Sequence, residues 1–195
     1  PQISTIKSAG LPSIELITKS GYANGSPYVD NNGDIYLTTF DPYMPSYLTR
    51  ISLDDKQDSL VRVPSNTLII GKHDQVIWYL RDAHCTHSSR SFDLFSFNLD
   101  TQDNKRLSRC MHYVQGDIED KTHASQQPLV LAIKELPGAK QLVSYNLETE
   151  QEQLLWQADL HENIASPQWL PGTSAVVFNQ KLDDQPWRIV RLELN

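Results

Sequence analysis

A short phrase recurs four times along this chain at nearly constant spacing. Its copies end at Leu53, Leu99, Leu147 and Leu194, so the steps between them are 46, 48 and 47 residues. Each copy alternates a bulky or β-branched residue with a more polar one, as in residues 143–147 (VSYNL), which is the periodicity of a half-buried strand. Repeats of about 40 to 50 residues built from short strands are typical of β-propeller blades, which cannot bury their faces alone.

The residues around each phrase predict a blade of four antiparallel strands. A polar turn and an apolar pair follow the phrase, as in residues 54–57 before Leu60 and Val61, and this pattern predicts a hairpin to an outer fourth strand. Two further strand-like runs precede it, and the first repeat joins them by residues 31–34 (NNGD), a tight-turn sequence. We therefore expect an all-β domain over residues 1–195, with blades at about 26–64, 65–110, 111–158 and 166–195. The third repeat is irregular, with about ten extra residues at 116–126.

The two ends of the chain carry complementary parts of this pattern. The fourth repeat stops without an outer strand, while a strand-like segment at residues 13–19 precedes the first blade. We expect the N-terminal segment to complete the C-terminal blade, which closes a ring of four blades and leaves no open sheet edge. The alternative is an arc of a larger propeller.

The composition argues against two classes of protein, those that bind nucleic acid directly and those that span a membrane. The chain is 39% hydrophobic, as in ordinary globular proteins, and its formal net charge is −7. Its 17 Lys and Arg residues are scattered, which argues against direct binding of nucleic acid. The longest apolar runs, such as residues 129–133, are far shorter than a bilayer span. The sequence begins at Pro1 without signal-peptide features, so we expect a processed protein or an excised domain.

The two cysteines fall on the same predicted face. Cys85 lies in the loop between the second and third strands of the second blade, and Cys110 lies where that blade leads into the next. These two connections emerge together because each strand reverses direction. A single disulfide closing a loop of about 25 residues is the simplest reading, and it implies an oxidising compartment such as a periplasm.

A metal site or a pH sensor is the competing interpretation of this region. His84, Cys85 and His87 form one cluster, and Cys110 with His112 forms a second. Imidazole and thiolate are ligands that zinc prefers, although the spacing matches no standard zinc knuckle. The same histidines could instead titrate near pH 6.5. Solvated loop histidines are the plainer alternative.

Other loops on this face offer candidate contacts for a protein partner or a small signal. Tyr22, Tyr43, Met44 and Leu182 are predicted to be exposed there, and aromatic and Met side chains are enriched at interfaces. The alternative is that each covers the edge of a blade. The four tryptophans, Trp78, Trp156, Trp169 and Trp187, are predicted to pack between blades.

Catalytic motifs are not found in the sequence. It contains no Gly-x-Ser-x-Gly elbow, no His-Glu-x-x-His and no phosphate-binding glycine loop. The acidic groups at residues 54–58 and 148–152 lie on or beside predicted turns, where carboxylates are ordinarily solvated. We therefore expect no catalysis and no cofactor.

Three segments carry a family resemblance. Residues 166–178 (SPQWLPGTSAVVF) resemble the Ser-Pro-x-Trp-Ser-Pro-Asp-Gly opening of the WD40-like repeats of the TolB type, and residues 26–35 are a looser copy. Residues 93–101 (DLFSFNLDT), followed by Arg106 and Leu107, are similar to the end of that repeat but lack its turn glycine.

This resemblance implies a propeller fold, and it covers most of the chain as a pattern. In that repeat family, propellers occur as periplasmic binding modules, as gates of prolyl peptidases, and as C-terminal sensor domains of membrane-anchored winged-helix regulators similar to the cadaverine and cholera-toxin regulators. Of these three settings, the third implies a periplasmic, non-catalytic sensor domain and is the one we expect. The DNA-binding and membrane-spanning parts of such a regulator would lie outside this chain.

Overall fold

The computed structural model describes residues 4–7, 13–16, 23–41, 43–54, 56–64, 66–85, 91–117, 129–170 and 173–194. Within these ranges the chain forms sixteen strands and no helix, so the predicted all-β class is confirmed. The described residues form no helix that is long and apolar enough to cross a bilayer. The chain divides into two compact units, Pro1–Ile69 and Ile70–Asn195.

The first unit contains a hairpin and a four-stranded sheet among its described residues. Its strands are β1 (Ser4–Lys7), β2 (Ser13–Leu16), β3 (Ala23–Val29), β4 (Ile35–Asp41), β5 (Met44–Ile51) and β6 (Gln57–Arg62). β1 pairs with β2, and β3 to β6 pair antiparallel in chain order. Ile35, Leu37 and Ile51 form a buried cluster on this sheet. At the predicted turn between β3 and β4, Gly33 has a φ of 84° and the Asp30 carboxylate accepts the amides of two turn residues at 3.0 Å.

The second unit continues the antiparallel pattern. Its strands are β7 (Leu68–His73), which crosses the boundary between the units, β8 (Val76–Ala83), β9 (Ser91–Asn98), β10 (Asn104–Asp117), β11 (Leu129–Leu136), β12 (Ala139–Asn146), β13 (Gln151–Gln157), β14 (Glu162–Leu170), β15 (Ala175–Leu182) and β16 (Arg188–Glu193). β7 to β13 form one meander in chain order, and β14 to β16 form a separate sheet.

The long strand β10 belongs to two sheets in succession. Its first part, from Asn104 to Met111, pairs with β9, and its second part, from Met111 to Asp117, pairs with β11. The register shifts on both sides of this change, and Cys110 there has a left-handed φ of 57°. The meander is therefore two four-stranded sheets that share a continuous strand.

Two turns of the second unit repeat the same hydrogen bonds one period apart. The side-chain oxygen of Asn98 accepts the amides of Asp100 and Thr101 at 2.9 and 3.0 Å. Asn146 accepts the amides of Glu148 and Thr149 at the same distances. Such Asx turns reverse the chain tightly, which explains why these two repeats end in a hairpin.

The main core of the second unit lies where two sheets stack. Apolar side chains of β11 and β12 pack against those of β14 and β15; its buried members are Leu131, Ile133, Leu142, Ala158, Ile164, Trp169, Val176 and Phe178. Trp156 also packs on Phe178, with ring centroids 6.1 Å apart. The apolar positions of the alternating strand patterns are therefore the side chains that stacking of the sheets buries.

The predicted closure of the ring by the N-terminal strand is not confirmed within the described residues. β2 pairs with β1, with Ser13 opposite Lys7 and Leu16 opposite Ser4. In the described part of the chain, the C-terminal sheet has three strands and ends at β16. Pairing between the segment at 13–19 and this sheet is therefore not observed. A nearby strand competes well for β2 because a short loop costs little entropy to close. Most of the insertion predicted at 116–126 lies outside the described residues.

The tryptophans occupy different environments. Trp78 and Trp169 are buried in the second unit, and Trp156 is half-buried against the core described above. Trp187, directly before β16, keeps 50% of its surface exposed. The sequence pattern predicts that Trp187 is packed between blades, but packing within the described sheets leaves half of its surface exposed.

A glycine at the turn after β9 should stabilise the protein. Gln102 has a φ of 62° in the turn between β9 and β10. We expect Gln102→Gly to raise the free energy of unfolding by about 0.5–1 kcal/mol, because glycine adopts this conformation without steric cost. Urea denaturation measures the change. Asp103→Gly is the matched control and should destabilise, since glycine there gains no conformational relief; stabilisation by both variants would contradict the prediction.

Candidate functional site

One end of the second unit gathers the connections in which the sequence predicts a site. We call it the loop face; its described residues are 83–85, 91, 110–112, 134–141, 157–163 and 180–188. Strand pairing places these segments together, since Ala83 is opposite Ser91, Met111 is opposite Lys134, and Gln157 is opposite Gln141. The rest of the site is built on this end of the sheets.

The predicted disulfide is present in the structure. Cys85, just after β8, is bonded to Cys110 in β10, with their Cα atoms 6.0 Å apart and a sequence separation of 25. The amide of Cys110 donates to the Asp93 carboxylate on β9 at 3.2 Å, and Arg106 lies 3.6 Å from the same carboxylate. The bridge therefore ties the loop after β8 to the point where β10 changes sheets.

The candidate metal ligands are not brought together within the described residues. Both cysteines are oxidised, so no thiolate is available for zinc. His84 is exposed beside the disulfide, whereas His112 is buried on β10, and His87 lies outside the described residues. Across the described part of the chain, no group of three or more His, Cys, Asp or Glu side chains is arranged to hold a metal ion. The metal and pH-sensing roles of this histidine cluster stay predictions.

His112 lies among charged side chains from neighbouring strands. Its Nε2 atom is 3.7 Å from a carboxylate oxygen of Glu135 on β11. Glu135 also pairs with Lys140 on β12 at 2.7 Å, and Lys140 donates to Asn163 on β14 at 2.9 Å. Burial lowers the pKa of His112; Glu135 opposes this shift and Lys140 adds to it. The neutral imidazole is thus the favoured form in the folded protein.

A second polar network, which the sequence did not predict, is centred on Glu162. This residue begins β14 and is only 9% exposed. Its carboxylate accepts hydrogen bonds from the indole of Trp156 at 3.0 Å and from the side chain of Gln180. Gln180 in turn accepts a 2.7 Å hydrogen bond from Arg188. A glutamate at the start of an alternating strand gives no sequence signal for burial, because its partners come from three other segments.

A cavity of about 290 Å³ opens on the loop face beside these two networks. Glu135, Lys140 and Glu162 supply charge to its lining, and Leu136 and Leu160 supply apolar surface. The two leucines are 42% and 78% exposed. The cavity therefore combines fixed charges with exposed apolar side chains, which is the combination that binding sites use.

The predicted contact residues fall in separate places. Leu182 ends β15 on the loop face, is half-buried, and pairs in register with Glu162. In the first unit, Tyr43 is 93% exposed in the turn before β5. Met44 is the first residue of β5, and the structure describes its backbone only. Tyr22 lies outside the described residues. Their role as a partner surface stays a prediction.

The acidic turns described in the sequence carry ion pairs. Asp58 pairs with Arg50 at 3.0 Å, Glu152 with Lys134 at 2.8 Å, and Glu150 with Lys105. Hydrogen bonds from Lys56 and Ser52 lower the pKa of Asp54 to about 2. The Asp54 carboxylate is therefore held in the ionised form.

No protein-family model and no curated protein sequence matches this chain. Among solved structures, it is similar to oligogalacturonate lyase in complex with manganese, with a TM-score of 0.57 and 14% identity over 92% of this chain and 53% of the lyase. With TolB from Acinetobacter baumannii, the TM-score is 0.54 and the identity is 13% over 100% of this chain and 52% of that protein. With a putative TolB from Agrobacterium tumefaciens, the TM-score is 0.54 and the identity is 14% over 95% of this chain and 68% of that protein.

These comparisons support a TolB-like β-propeller fold. The chain spans about half the length of the lyase and of the Acinetobacter TolB. At 13–14% identity the likeness concerns the fold alone, and one fold supports many functions.

Removal of the disulfide should destabilise the protein strongly. We expect the variant Cys85→Ala/Cys110→Ala to lose about 3 kcal/mol of unfolding free energy, because the bridge closes a 25-residue separation. The variant Cys85→Ala/Cys110→Gly should recover about 1 kcal/mol of this loss, since Cys110 has a left-handed φ. Urea denaturation of the three proteins measures both effects. A loss below about 1 kcal/mol in the first variant would contradict the proposed role of the bridge.

The stability of the protein should fall in mild acid through His112. Because its pKa is lowered in the folded protein, the unfolded chain binds the proton first as the pH falls below about 6.5. The contribution of the neutral imidazole is complete above that pH and is lost below it. Urea denaturation between pH 7.5 and 5.0 should show a smaller decrease for His112→Asn than for the wild type. Equal pH dependence in the two proteins would refute this assignment.

Proposed function

We propose that this chain is a non-catalytic extracytoplasmic domain that senses a signal or binds a protein partner. We further propose that it is the C-terminal periplasmic part of a membrane-bound transcriptional regulator. The TolB-like fold and the disulfide support an extracytoplasmic binding module, since disulfides persist in oxidising compartments. The regulator setting rests on the resemblance of the repeats.

The cavity on the loop face carries this proposal. Leu136 and Leu160 present apolar surface at its rim, while Glu135, Lys140 and Glu162 are held by ion pairs or hydrogen bonds. Connections on a rigid sheet scaffold are the usual place for recognition residues. A protein partner or a small signal would contact the leucines and be oriented by the fixed charges.

Two other functions fit the same fold. The chain could be a TolB-like periplasmic scaffold protein, which the two TolB structures favour. It could also be the propeller gate of a hydrolase. The observation in favour of an association with an enzyme is the similarity to oligogalacturonate lyase. The scaffold differs from the regulator in lacking a DNA-binding domain in the same polypeptide, and the gate requires a catalytic domain there.

The closed ring of four blades belongs to the same proposal. It requires the segment at 13–19 to pair with the C-terminal sheet, and this pairing stays a prediction. The oligomeric state is open.

Site-specific photo-crosslinking in the native polypeptide, in its source cell, tests the proposed binding face. A benzoylphenylalanine at Leu160 should give a discrete cross-linked product, because this side chain is 78% exposed at the cavity. Leu154, 52% exposed on β13, is the matched control position and should give none. Leu136→Asp should reduce the yield at Leu160 about tenfold, since charge at the centre of an interface is costly.

Three results would contradict the proposal. These are equal products from both positions, no product from Leu160, and turnover of a substrate by the purified chain that Leu136→Asp abolishes.

A further inference from the structure

A second cavity lies at the end of the second unit opposite the loop face. It has a volume of about 580 Å³, and its lining includes Trp78, Ser96, Asn98, Asp103, Leu147 and Glu148. These residues belong to β8, β9 and the turns that follow β9 and β12. β8 runs from this cavity, at Val76, to the loop face, at Ala83, and the two cavities share no lining residue. We call the second cavity the turn cleft.

The turn cleft contains an indole N–H that has no acceptor among the described residues. Trp78 is only 3% exposed, and no described side chain or carbonyl accepts a hydrogen bond from its indole. The indole nitrogen is not sealed from solvent either, so its N–H opens into the cleft that Trp78 lines. The indole of Trp156, in contrast, donates to Glu162 at 3.0 Å. Because a buried donor without an acceptor costs free energy, the N–H of Trp78 is available to a ligand.

Strand register places Trp78 close to an acidic residue at the mouth of the cleft. Trp78 is opposite Ser96 on β9, and Ser96 is opposite Lys105 on β10. Asp103 lies two residues before Lys105, and its carbonyl accepts the amide of Asn98 at 3.0 Å. Residues that are opposite each other, or two apart along a strand, face the same side of a sheet. Trp78 and Asp103 are therefore one row of residues apart, about 7 Å along the strands.

The positive groups that line the cleft already have acidic neighbours. Lys105 forms an ion pair with Glu150, and His73 lies 3.7 Å from Asp74. These two cations are therefore balanced by carboxylates of the same lining.

Two further carboxylates of the lining have no such balance. Asp103 and Glu148 are exposed, and no described residue forms an ion pair or a hydrogen bond with either carboxylate. The cleft thus has an excess of negative charge at its mouth, which favours a cationic ligand.

The next repeat contains an equivalent cavity of about 800 Å³. Gln151 lies there at the position of Asp103, 48 residues further along the chain. Leu131 takes the place of Trp78 in the strand register and is fully buried, so packing at this position requires no polar group. The repeat fold therefore produces the cavity itself, whereas the indole N–H and the carboxylate distinguish the turn cleft from its equivalent.

We infer that the turn cleft binds an arginine residue in an extended segment of a partner protein. The guanidinium lies between the carboxylates of Asp103 and Glu148, and the backbone carbonyl of the same residue accepts the N–H of Trp78. Guanidinium pairs well with carboxylates because it donates several hydrogen bonds in a fixed plane. An extended arginine side chain spans the single row of residues that separates Trp78 from Asp103. This site is distinct from the loop face and goes beyond the proposed function.

Titration of the isotope-labelled chain with N-acetyl-arginine amide tests this inference by NMR. The indole N–H resonance of Trp78, identified by its loss in Trp78→Phe, should shift and saturate because the N–H gains an acceptor. The indole resonances of Trp156 and Trp169 should stay in place, since neither residue lines the cleft. N-acetyl-citrulline amide is the matched neutral ligand, with the same carbonyl and a urea group in place of the guanidinium. It should bind at least about fivefold more weakly, because its hydrogen bonds to the carboxylates are not charge-assisted.

Variants of the acidic residues test the charge at the mouth of the cleft. Asp103→Asn combined with Glu148→Gln should raise the dissociation constant about tenfold, as the loss of close charge pairs does at interfaces. Asp100→Asn is the matched control: it removes an exposed carboxylate from the same turn but outside the cleft, and it should leave binding unchanged. The dispersion of the backbone amide resonances establishes that each variant is folded.

Butylguanidinium, which has the cation but no carbonyl, tests the role assigned to Trp78. It should bind more weakly than N-acetyl-arginine amide and leave the Trp78 indole resonance in place. Equal binding would show that the cleft takes a free cation, and this would overturn the inference. No saturable shift, equal binding of the citrulline ligand, or equal effects of the double variant and Asp100→Asn would also overturn it. Cross-linking at Leu160 reports on the opposite end of the sheets, so failure of this titration alone would leave the proposed function standing.

Discussion

Burial of sheet faces by the neighbouring sheet is the interaction on which the rest of this structure depends. A four-stranded antiparallel sheet with apolar residues on both faces is not stable alone, because each face must be removed from water. In the second unit, Leu131 and Leu142 of one sheet pack against Val176 and Phe178 of the next. Each of these side chains contributes about 1.5–3 kcal/mol by burial, far more than any ion pair on the turns.

This stacking determines where chemistry can occur. The middle of each strand is committed to the core, so polar groups that can recognise a ligand are confined to the ends of the sheets. His112, Glu135 and Glu162 lie at one such end, where strands of adjacent sheets meet. The ion pair of Glu135 with Lys140 and the hydrogen bonds of Glu162 offset the cost of burying these two carboxylates. The disulfide adds a covalent restraint beside these residues.

Much of the fold could be predicted from the sequence, because the apolar positions of each phrase recur at one period. The strands around Leu99 and Leu147, the hairpin at Gly33 and the bridge from Cys85 to Cys110 all follow from that period and from strand direction. Pairing partners could not be predicted in the same way. The segment at 13–19 has a strand pattern, but the pattern does not state which edge it joins, and β1 is its partner in the structure. The continuity of β10 and the network around Glu162 were also missed, since both depend on contacts between distant segments.

Native-state hydrogen exchange is the most direct measurement of the central claim, which is that stacked sheets stabilise each other. Amides of β12 and β15 lie in different sheets but behind one shared core, so the account predicts that they exchange at the same slow rate through a common opening. Rapid exchange throughout β14 and β15 while β11 and β12 remain protected would contradict it, because the sheets would then be stable independently of each other.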